Sequence, residues 1–385
     1  MNRFALSSLV LVLVGCASAV VPVAVAGTFY VSPNGNDRAG GHSPAHAWRT
    51  IGRVNEARLR PGDTVLFRGG STFTDNTLTP PASGTAARPI RFASYGKGRA
   101  VISNGRGAVW FASKSHLVFE RLQLTTGNAD AVIFAGSSGE SSDIVIRRCA
   151  LFDSNFAAIN QPSPDDANWL IRNSTISHVG DSGLILLGHG DVVKGNLIAD
   201  VGWNTALDYA KHGVYVKGPN NAIVGNRISG FGDGSGVTLR YRGSRVVGNT
   251  ITNGQTAVSF YREDSRTGAS VIKKNQTSGI TGAGFYYDIG GGENFIVSGN
   301  TFGMVGGTGI DLAGQPARQI VVSGNRVLGS FEWALSARFD AAVPYSEFGN
   351  GFTGRPMFAW GGRALTYLQY RQRSGQGSGD RVGLP

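Results

Sequence analysis

Short segments in which apolar and polar residues alternate recur along the middle of the chain. In Gly213-Val-Tyr-Val216, for example, Val214 and Val216 fall on one face and Tyr215 falls on the other. Alternation with a period of two predicts a short strand that buries one face. Clear copies of this pattern begin at Gly183, Gly213, Gly236, Ala257, Gly284 and Gly309.

Asparagines recur between these strands at a similar spacing. Most follow a glycine, and the separations are 23, 30, 23, 26, 25 and 25 residues. The residues are Asn173, Asn196, Asn226, Asn249, Asn275, Asn300 and Asn325. Cys149 lies 24 residues before Asn173 and occupies the same slot. A fixed period in the twenties predicts stacked units that bury a core only against their neighbours, and asparagines in the turns can pass hydrogen bonds along the stack.

The composition excludes most helical architectures. Glycine supplies 57 of the 385 residues and charged residues only 16%, and each glycine inside a helix costs about 1 kcal/mol. A helical bundle and a Rossmann-type sheet are therefore both disfavoured. With 41% hydrophobic residues, the chain can still bury a long core, so many short strands separated by turns remain the consistent interpretation.

The ends of the chain add recognisable segments. These are Phe29-Tyr-Val-Ser-Pro-Asn-Gly-Asn-Asp37, Trp48-Arg-Thr-Ile51, Pro61-Gly-Asp-Thr-Val-Leu-Phe-Arg-Gly-Gly70 and Phe358-Ala-Trp-Gly-Gly362. Together with the repeats, they resemble secreted right-handed parallel β-helix proteins of the pectate-lyase-like superfamily. The resemblance covers essentially the whole chain after residue 26. It is specific for the fold and only weakly specific for the activity, because this architecture hosts lyases, hydrolases, epimerases and binding proteins.

The resemblance implies an all-β fold, a single right-handed parallel β-helix of about nine to eleven rungs with an internal asparagine ladder. It also implies a short capping helix over Trp48 to Leu59 and a closing strand and helix at the C-terminus. The expected divisions are a signal peptide at 1–26, an N-terminal strand and capping helix at 27–70, β-helix repeats at 71–340 and a C-terminal cap at 341–385.

The first 26 residues have the features of an export signal. Arg3 is followed by the apolar run Phe4 to Val14, and Ala24-Val25-Ala26 fits the site of signal peptidase. The alternative is Leu13-Val-Gly-Cys16, which resembles a lipobox and would make Cys16 a lipidated anchor. Cleavage after Ala26, which releases the chain, is favoured over lipidation, because the residues after Cys16 are apolar rather than a polar tether. No other segment is apolar for long enough to span a bilayer, so we expect a secreted protein.

The charge of the exported chain indicates an acidic partner. Removal of residues 1–26 deletes Arg3 and no acidic residue, so the formal charge falls from +11 to +10. A basic secreted protein suits an acidic partner, which by charge alone is a uronate polysaccharide, an anionic cell wall or nucleic acid. Of these we expect an acidic polysaccharide and no nucleic acid, and we expect a monomer. The alternative is that the charge only aids solubility. Cys149 is then the only remaining cysteine, which excludes a disulfide framework and is typical of a small buried core residue.

The resemblance implies that polysaccharide binds along the outward side of the alternating strands. Applying one register to successive repeats predicts two outward columns. The first contains Tyr215, Thr238, Ser259, Tyr286 and Asp311, and the second contains Lys217, Arg240, Tyr261 and Asp288. With strands about 4.8 Å apart, Lys217 to Tyr261 would span roughly 10 Å, near the length of two sugar units.

The loop before these strands points to the same turns. The longest repeat spacing encloses Trp203 to His212, so this loop would overhang Lys217, and longer loops on a regular scaffold tend to carry function. Earlier repeats are apolar at the outward positions, which we assign to Ile133, Ala135, Ile185 and Leu187. The alternative is that outward polar residues only cover the sheet.

These residues suit a polysaccharide lyase that acts on a uronate-containing glycan by β-elimination. The reaction needs a base for the C5 proton and a cation beside the carboxylate; Lys217 and Arg240 match these needs, and Tyr215, Tyr261 or His212 could protonate the leaving oxygen. The expected catalytic residues are Lys217, Arg240, His212, Tyr215, Tyr261 and Asp288. The expected substrate-binding residues are Lys211, Arg242, Arg262 and Tyr286.

Other functions use the same groove. A uronate C5-epimerase would need the same groups, and a glycoside hydrolase would need two carboxyl groups, for which Asp288 with Asp311 or Glu263 with Asp288 are the candidates. A non-catalytic glycan- or wall-binding protein would use the Tyr and Arg side chains only to hold sugars. Turns rich in Asp and Asn are compatible with Ca²⁺, although the sequence defines no ligand set.

Overall fold

The computed structural model describes residues 25–127, 131–137, 139–261, 269–288, 294–314, 319–339 and 344–384. Most of the predicted export signal, together with Cys16, Arg262 and Glu263, lies outside these ranges. The described chain winds into a right-handed parallel β-solenoid of about 11 turns, which confirms the all-β fold expected from the repeats.

Most turns of the solenoid contribute one strand to each of three faces. Face 1 is a continuous sheet of 13 parallel strands. Its strands are Thr28–Val31, Thr64–Arg68, Ile90–Tyr95, Leu117–Glu120, Val145–Arg147, Leu170–Arg172, Val192–Lys194, Ala222–Val224, Arg245–Val247, Ala269–Lys273, Asn294–Ser298, Ile320–Ser323 and Tyr345–Phe348.

Faces 2 and 3 are joined, because three long strands bend from one face into the other. These long strands are Arg227–Leu239, Thr250–Phe260 and Gln276–Tyr287. The other strands of face 2 are Thr72–Phe73, Ala100–Ser103, Leu122–Thr125, Ala150–Ser154, Thr175–Val179, Leu197–Val201, Thr301–Val305, Arg326–Ser330, Gly351–Thr353 and Arg381–Leu384. The other strands of face 3 are Val109–Phe111, Ile133–Ala135, Ile159–Gln161, Leu184–Leu186, Val214–Val216, Thr308–Leu312, Trp333–Ala337 and Phe358–Trp360, with Arg363–Leu365 added antiparallel.

Alternation along the strands builds the core. On face 3, Val214 pairs with Val237, Val237 with Val258, Val258 with Phe285, and Phe285 with Ile310. All five side chains are fully buried. Each strand is too short to bury this surface alone, so the stacking of successive turns supplies the hydrophobic stabilisation.

A column of asparagines follows the strands of face 1. From Asn196 to Asn325, each Nδ2 donates to the Oδ1 of the next asparagine at 2.9–3.0 Å and to a main-chain carbonyl at 2.9 Å. The column continues to Asn350, which accepts from Asn325. These side chains are almost completely buried, so each bond replaces water that the interior excludes.

Asn173 does not occupy this column, so the column position predicted from the repeat spacing was wrong by one residue there. Its φ of 50° is left-handed, as is the 66° of Gly195 that precedes Asn196. Ser174 takes the column position instead: it accepts from the N–H of Cys149 at 3.1 Å and donates its own N–H to Asn196 at 3.0 Å. Asparagine tolerates left-handed geometry, so Asn173 substitutes for the glycine of the repeat rather than for its asparagine.

Cys149 is a buried member of the same column. It is 1% exposed and unpaired, and burial raises the pKa of its thiol to about 11. A thiol that stays protonated is a poor nucleophile, which fits the structural role expected for it.

The two ends of the solenoid carry short helices. The N-terminal helix spans Ile51–Asn55 and is shorter than the predicted segment. Thr50 is its N-cap, and the Thr50 Oγ1 accepts from the Arg53 N–H at 3.0 Å. A 3₁₀ turn at Pro44–His46 precedes it. Near the C-terminus, the helix Tyr367–Ser374 starts with a capping box.

The C-terminal helix covers one end of the core. Its Tyr370 is fully buried and stacks on Phe358 with ring centroids 4.9 Å apart. Parallel pairing continues beyond residue 340, because Tyr345–Phe348 pairs with Ile320–Ser323.

Candidate functional site

The two predicted outward columns lie on face 3 in the predicted register. In the first, Tyr215 pairs with Thr238, Thr238 with Ser259, Ser259 with Tyr286, and Tyr286 with Asp311. Side chains on adjacent parallel strands lie about 4.8 Å apart, so five turns contribute to one continuous surface.

The second column follows the ends of the same strands. The backbone N–H groups of Arg240, Tyr261 and Asp288 each donate to a carbonyl one turn earlier, at 2.9–3.2 Å. Lys217 has the equivalent bond at 2.6 Å. The four residues therefore keep the strand register although they lie at its margin.

A cavity of about 780 Å³ opens between these columns and the loop before Gly213. Its walls combine the outward columns of face 3 with the bends between faces 2 and 3. The lining residues are Tyr209, Ala210, His212, Tyr215, Asp233, Gly234, Ser235, Thr238, Arg240, Gln255, Thr256, Tyr261, Gly282, Ala283, Tyr286 and Asp311.

Arg240 lies between two tyrosines in this cavity. Its Nη1 donates to the Tyr215 hydroxyl at 3.2 Å, and its guanidinium carbon lies 5.8 Å from the centroid of the Tyr261 ring. A planar guanidinium held in this way can still present donors to a carboxylate.

Lys217 flanks the cavity rather than lining it. Its Nζ lies 5.5 Å from the centroid of the Tyr215 ring, and its side chain is half-buried. The face of Tyr215 therefore meets one cation while its hydroxyl meets another, Arg240.

His212 is held as a neutral imidazole. Its ring lies 4.7 Å from that of Tyr215, and its Nδ1 accepts from the Ser235 N–H at 3.0 Å and lies 2.9 Å from Thr238 Oγ1. Because Nδ1 accepts, the proton of the neutral ring is on Nε2. Burial and then the charge of Arg240 lower the pKa of His212 to about 4, so the ring is uncharged at pH 7 and can donate from Nε2.

Buried hydroxyl groups form the floor beneath this histidine. Ser259 Oγ lies 2.8 Å from both Ser235 Oγ and Thr238 Oγ1, and all three residues are at most 3% exposed. Gly234 leaves room for the network, since a Cβ there would collide with the Lys211 carbonyl and lie 2.5 Å from His212 Nδ1. The floor is therefore rigid and presents His212 in one orientation.

Two tyrosines on the far side of the cavity keep their protons. Tyr286 donates to Asp288 Oδ1 at 3.2 Å, and its ring lies 5.4 Å from that of Tyr261. Burial, with the negative charge of Asp288, raises the pKa of Tyr286 to about 12 and raises that of Tyr261 in the same direction. Both phenols can therefore donate hydrogen bonds at neutral pH.

Asp311 places a carboxyl group in the same cavity. Burial raises its pKa, with Asp288 contributing in the same direction and Arg338 opposing the shift. The sequence placed Asp311 in the first column and considered it only for a hydrolase.

Two of the expected substrate-binding residues, Lys211 and Arg242, do not line the cavity. Lys211 does not reach it: its side chain is 7% exposed and its Nζ lies 3.9 Å from Asp233 Oδ1. Arg242 lies half-buried in the turn between faces 3 and 1, and Arg262 lies outside the described residues.

Tyr209 is a cavity residue that the sequence analysis did not select. Its hydroxyl donates to Asp181 Oδ2 at 2.9 Å, and burial with this carboxylate raises the pKa of the phenol to about 12. The contact ties the long loop to the preceding turn. The only available signal was the length of that loop, because the position of Tyr209 depends on a contact 28 residues away.

The described ranges contain neither a metal-binding cluster nor a membrane-spanning helix. There, no three His, Cys, Asp or Glu side chains converge to hold a metal ion, so no ligand set for Ca²⁺ can be named. No helix in those ranges is long and apolar enough to cross a membrane.

Comparison with known proteins bears on the fold. A family model described as the right handed beta helix region matches residues 163–327, a little under half of the chain. A sequence search of curated proteins gave no significant match.

Solved structures resemble the chain over most of its length. The complex of XylC with xylose is similar with a TM-score of 0.65 at 10% identity, covering 92% of this chain and 86% of that one. Pectate lyase Pel9A is similar with a TM-score of 0.54 at 17% identity, covering 86% and 80%. The A-module of the Azotobacter vinelandii mannuronan C-5 epimerase AlgE6 gives 0.53 at 13% identity, covering 94% and 91%. The chain therefore has the right-handed parallel β-helix fold that these structures share.

Proposed function

We propose that this protein is a secreted polysaccharide lyase that cleaves a uronate-containing glycan by β-elimination. The observation that carries the proposal is the position of Arg240, which lies in a cavity of about 780 Å³ on face 3 and is held by the Tyr215 hydroxyl. A fixed cation in a partly enclosed cavity suits a ligand that bears a carboxylate.

Arg240 supplies what the difficult step of this reaction needs. The base removes the proton from C5, the C4–O bond breaks, a C4=C5 double bond forms, and the leaving oxygen takes a proton. Negative charge builds on the carboxylate attached to C5 as the proton leaves. A guanidinium at hydrogen-bond distance from that carboxylate stabilises this charge more strongly in the transition state than in the ground state.

Lys217 is the proposed base. Its amino group lies over one face of Tyr215 while Arg240 bonds the hydroxyl of the same ring. A sugar whose carboxylate meets Arg240 would therefore have its C5 close to the Lys217 side of the cavity. In this proposal the C5 proton passes directly to the Lys217 amino group.

The protonated phenols suit the leaving oxygen. Tyr261 and Tyr286 line the cavity beyond Arg240, and their raised pKa values keep both groups protonated at neutral pH. Tyr286 is oriented by its bond to Asp288, which leaves Tyr261 as the proposed proton donor. The Nε2–H of His212 is the proposed donor to a substrate hydroxyl or carboxylate, since the buried ring stays uncharged.

The structural neighbours support an acidic glycan. Two of them are described as a pectate lyase and a mannuronan C-5 epimerase, and a rhamnogalacturonan lyase matches with a TM-score of 0.52. The positive formal charge of this chain is in keeping with such substrates. An epimerase would use the same proton abstraction and return a proton to C5 instead of breaking the C4–O bond.

Asp311 favours a glycoside hydrolase as the second candidate. Its raised pKa suits a general acid, and Asp288 is close enough to contribute to that shift. Glycoside hydrolysis requires two carboxyl groups on either side of the bond, and Asp311 and Asp288 are the candidate pair.

One screen distinguishes these functions. The secreted protein is incubated with polygalacturonate, alginate, glycosaminoglycans and gellan, with and without chelator. A lyase gives unsaturated products that absorb near 235 nm. Reducing ends without that absorbance would indicate the hydrolase, and changed C5 stereochemistry without cleavage would indicate the epimerase. Binding of a polymer with no chemical change would leave face 3 as a binding surface and overturn the enzymatic proposal.

A further inference from the structure

A second cavity lies on face 3, several turns before the first. It has a volume of about 600 Å³ and is bordered by three aromatic side chains, Trp110, Phe134 and Phe156, with Arg106 and Asn160 beside them. We call the three rings the aromatic platform.

Two rings of the aromatic platform, Trp110 and Phe134, belong to the same column as Tyr215. Trp110 pairs with Phe134, Phe134 with Asn160, Asn160 with Ile185, and Ile185 with Tyr215. Four strand spacings of about 4.8 Å separate Trp110 from Tyr215, so the two cavities lie about 19 Å apart along one face, roughly four sugar units.

The strand register predicted from the sequence did not show that the column continues from Tyr215 to Trp110. It assigned Ile133 and Ala135 to the outward side, but both are fully buried and Phe134 is the outward residue between them. The assignment was wrong by one residue because the alternation in this repeat is shifted by one residue relative to the clear copies, which places Phe134 on the outward side. A slip of one residue exchanges the two faces of a strand.

Trp110 is held open to solvent at this position. Its side chain is 41% exposed, although neighbouring aromatics of the core are fully buried. Gly136, on the next turn, makes room for it, since a Cβ there would lie 3.3 Å from Trp110 Cζ2. A large ring kept exposed on a rigid strand, beside two half-buried rings, is typical of a binding surface.

We propose that the aromatic platform binds pyranose rings of the same uronate glycan whose cleavage site lies at Arg240. The C–H face of a pyranose is apolar and packs on aromatic rings, which removes apolar surface from water on both sides. Arg106 suits the carboxylate of a bound uronate, and the Asn160 amide suits its hydroxyl groups. The choice of a uronate as ligand rests on the proposed function; the continuity of the column indicates one chain spanning both cavities.

The test compares short and long oligosaccharides on the full protein. Dissociation constants are measured by calorimetry for trimers and octamers of galacturonate and of mannuronate, using wild type, Trp110→Ala and Trp110→Phe. Trp203→Ala is the matched control, because that tryptophan is also exposed, at 37%, and stacks on His178 outside both cavities. Circular dichroism and Tm establish that each variant is folded.

We expect Trp110→Ala to weaken octamer binding about 5- to 20-fold and trimer binding less than twofold, with Trp110→Phe intermediate. Equal effects on trimer and octamer, no effect beyond that of Trp203→Ala, or failure of wild type to bind any of these oligomers would overturn the inference. The same samples are read at 235 nm. Length-dependent binding without unsaturated product would refute the lyase but support binding at the aromatic platform. Product formation that does not change in the Trp110 variants would support the lyase but refute binding at the platform.

Discussion

The guanidinium of Arg240 donates to the hydroxyl of Tyr215 on the preceding turn, at 3.2 Å. The two residues are 25 positions apart in the chain and become neighbours because one turn of the solenoid separates them. This bond orients the cation towards the cavity on face 3, while Lys217 lies over the ring of the same tyrosine. This arrangement leads to predictions for Arg240 and for Lys217.

Replacement of Arg240 should impair both catalysis and binding. Arg240→Ala is expected to lower kcat/KM on the susceptible uronate polymer by about 10²–10³-fold, because the carboxylate loses its cation in the transition state. KM should also rise, since the same contact is present in the ground state. Arg240→Lys should recover only part of the activity because an ammonium lacks the planar fork. Arg245→Ala is the control, an exposed arginine on face 1; an equal loss in that variant would contradict the assignment.

Replacement of Lys217 should affect the rate and spare the fold. Lys217→Ala is expected to lose about 10²–10⁴-fold in kcat, the usual scale for a general base. The Tm should stay close to that of wild type because the side chain lies outside the core. Lys194→Ala, an exposed lysine on face 1, controls for loss of positive charge. Full activity in Lys217→Ala would exclude Lys217 as the base, and activity lost in Asp288→Asn alone would favour the hydrolase.

The buried asparagine column should contribute measurably to stability. Asn249→Leu removes the acceptor for Asn226 and the donor to Asn275, and we expect it to lower the free energy of unfolding by about 1–3 kcal/mol. Asn173→Gly is the matched control, because Asn173 occupies a left-handed position outside the column, and it should change stability by less than about 0.5 kcal/mol. Denaturant titration measures both, and equal effects would contradict the different roles of the two asparagines.

Stability should fall as the pH rises towards neutrality because of Asp191. Burial raises the pKa of this fully buried carboxyl from 3.8 to about 7, and nearby Asp166 adds to the shift. The folded state therefore holds the proton more tightly than the unfolded state. This stabilisation is complete below about pH 4 and is lost as the pH rises through about 7.

Asp191→Asn should remove this pH dependence. The variant keeps an oxygen to accept from the Trp169 N–H, as Asp191 Oδ1 does at 2.8 Å, and needs no proton to remain neutral. We expect it to be more stable than wild type by about 1–3 kcal/mol at pH 8 and by much less at pH 5. Thermal unfolding across this range gives the difference. Asp165→Asn, an exposed neighbour, should show no such trend, and parallel stability curves for wild type and Asp191→Asn would contradict the prediction.

The sequence alone determined the solenoid and the outward columns from Tyr215 to Asp311. A two-residue alternation repeated every 25 or so residues has one regular solution, in which apolar faces stack and polar turns align. Where the repeats are clear, their register transfers directly to space, so Arg240, Tyr261 and Tyr286 could be predicted to share one surface.

Only the tertiary structure decided which of those side chains meet a cavity. Lys211 and His212 are adjacent in sequence, yet Lys211 is buried against Asp233 while His212 faces Tyr215. Such outcomes depend on how the long loop folds over the turn before it. The weaker N-terminal repeats show the same limit: nothing local distinguishes Phe134 from Ile133 as the outward residue, and the choice was made by pairing with Trp110 and Asn160 on the neighbouring turns. Strand register is a property of the whole stack, because shifting one strand by a residue exposes its apolar side chains and buries its polar ones.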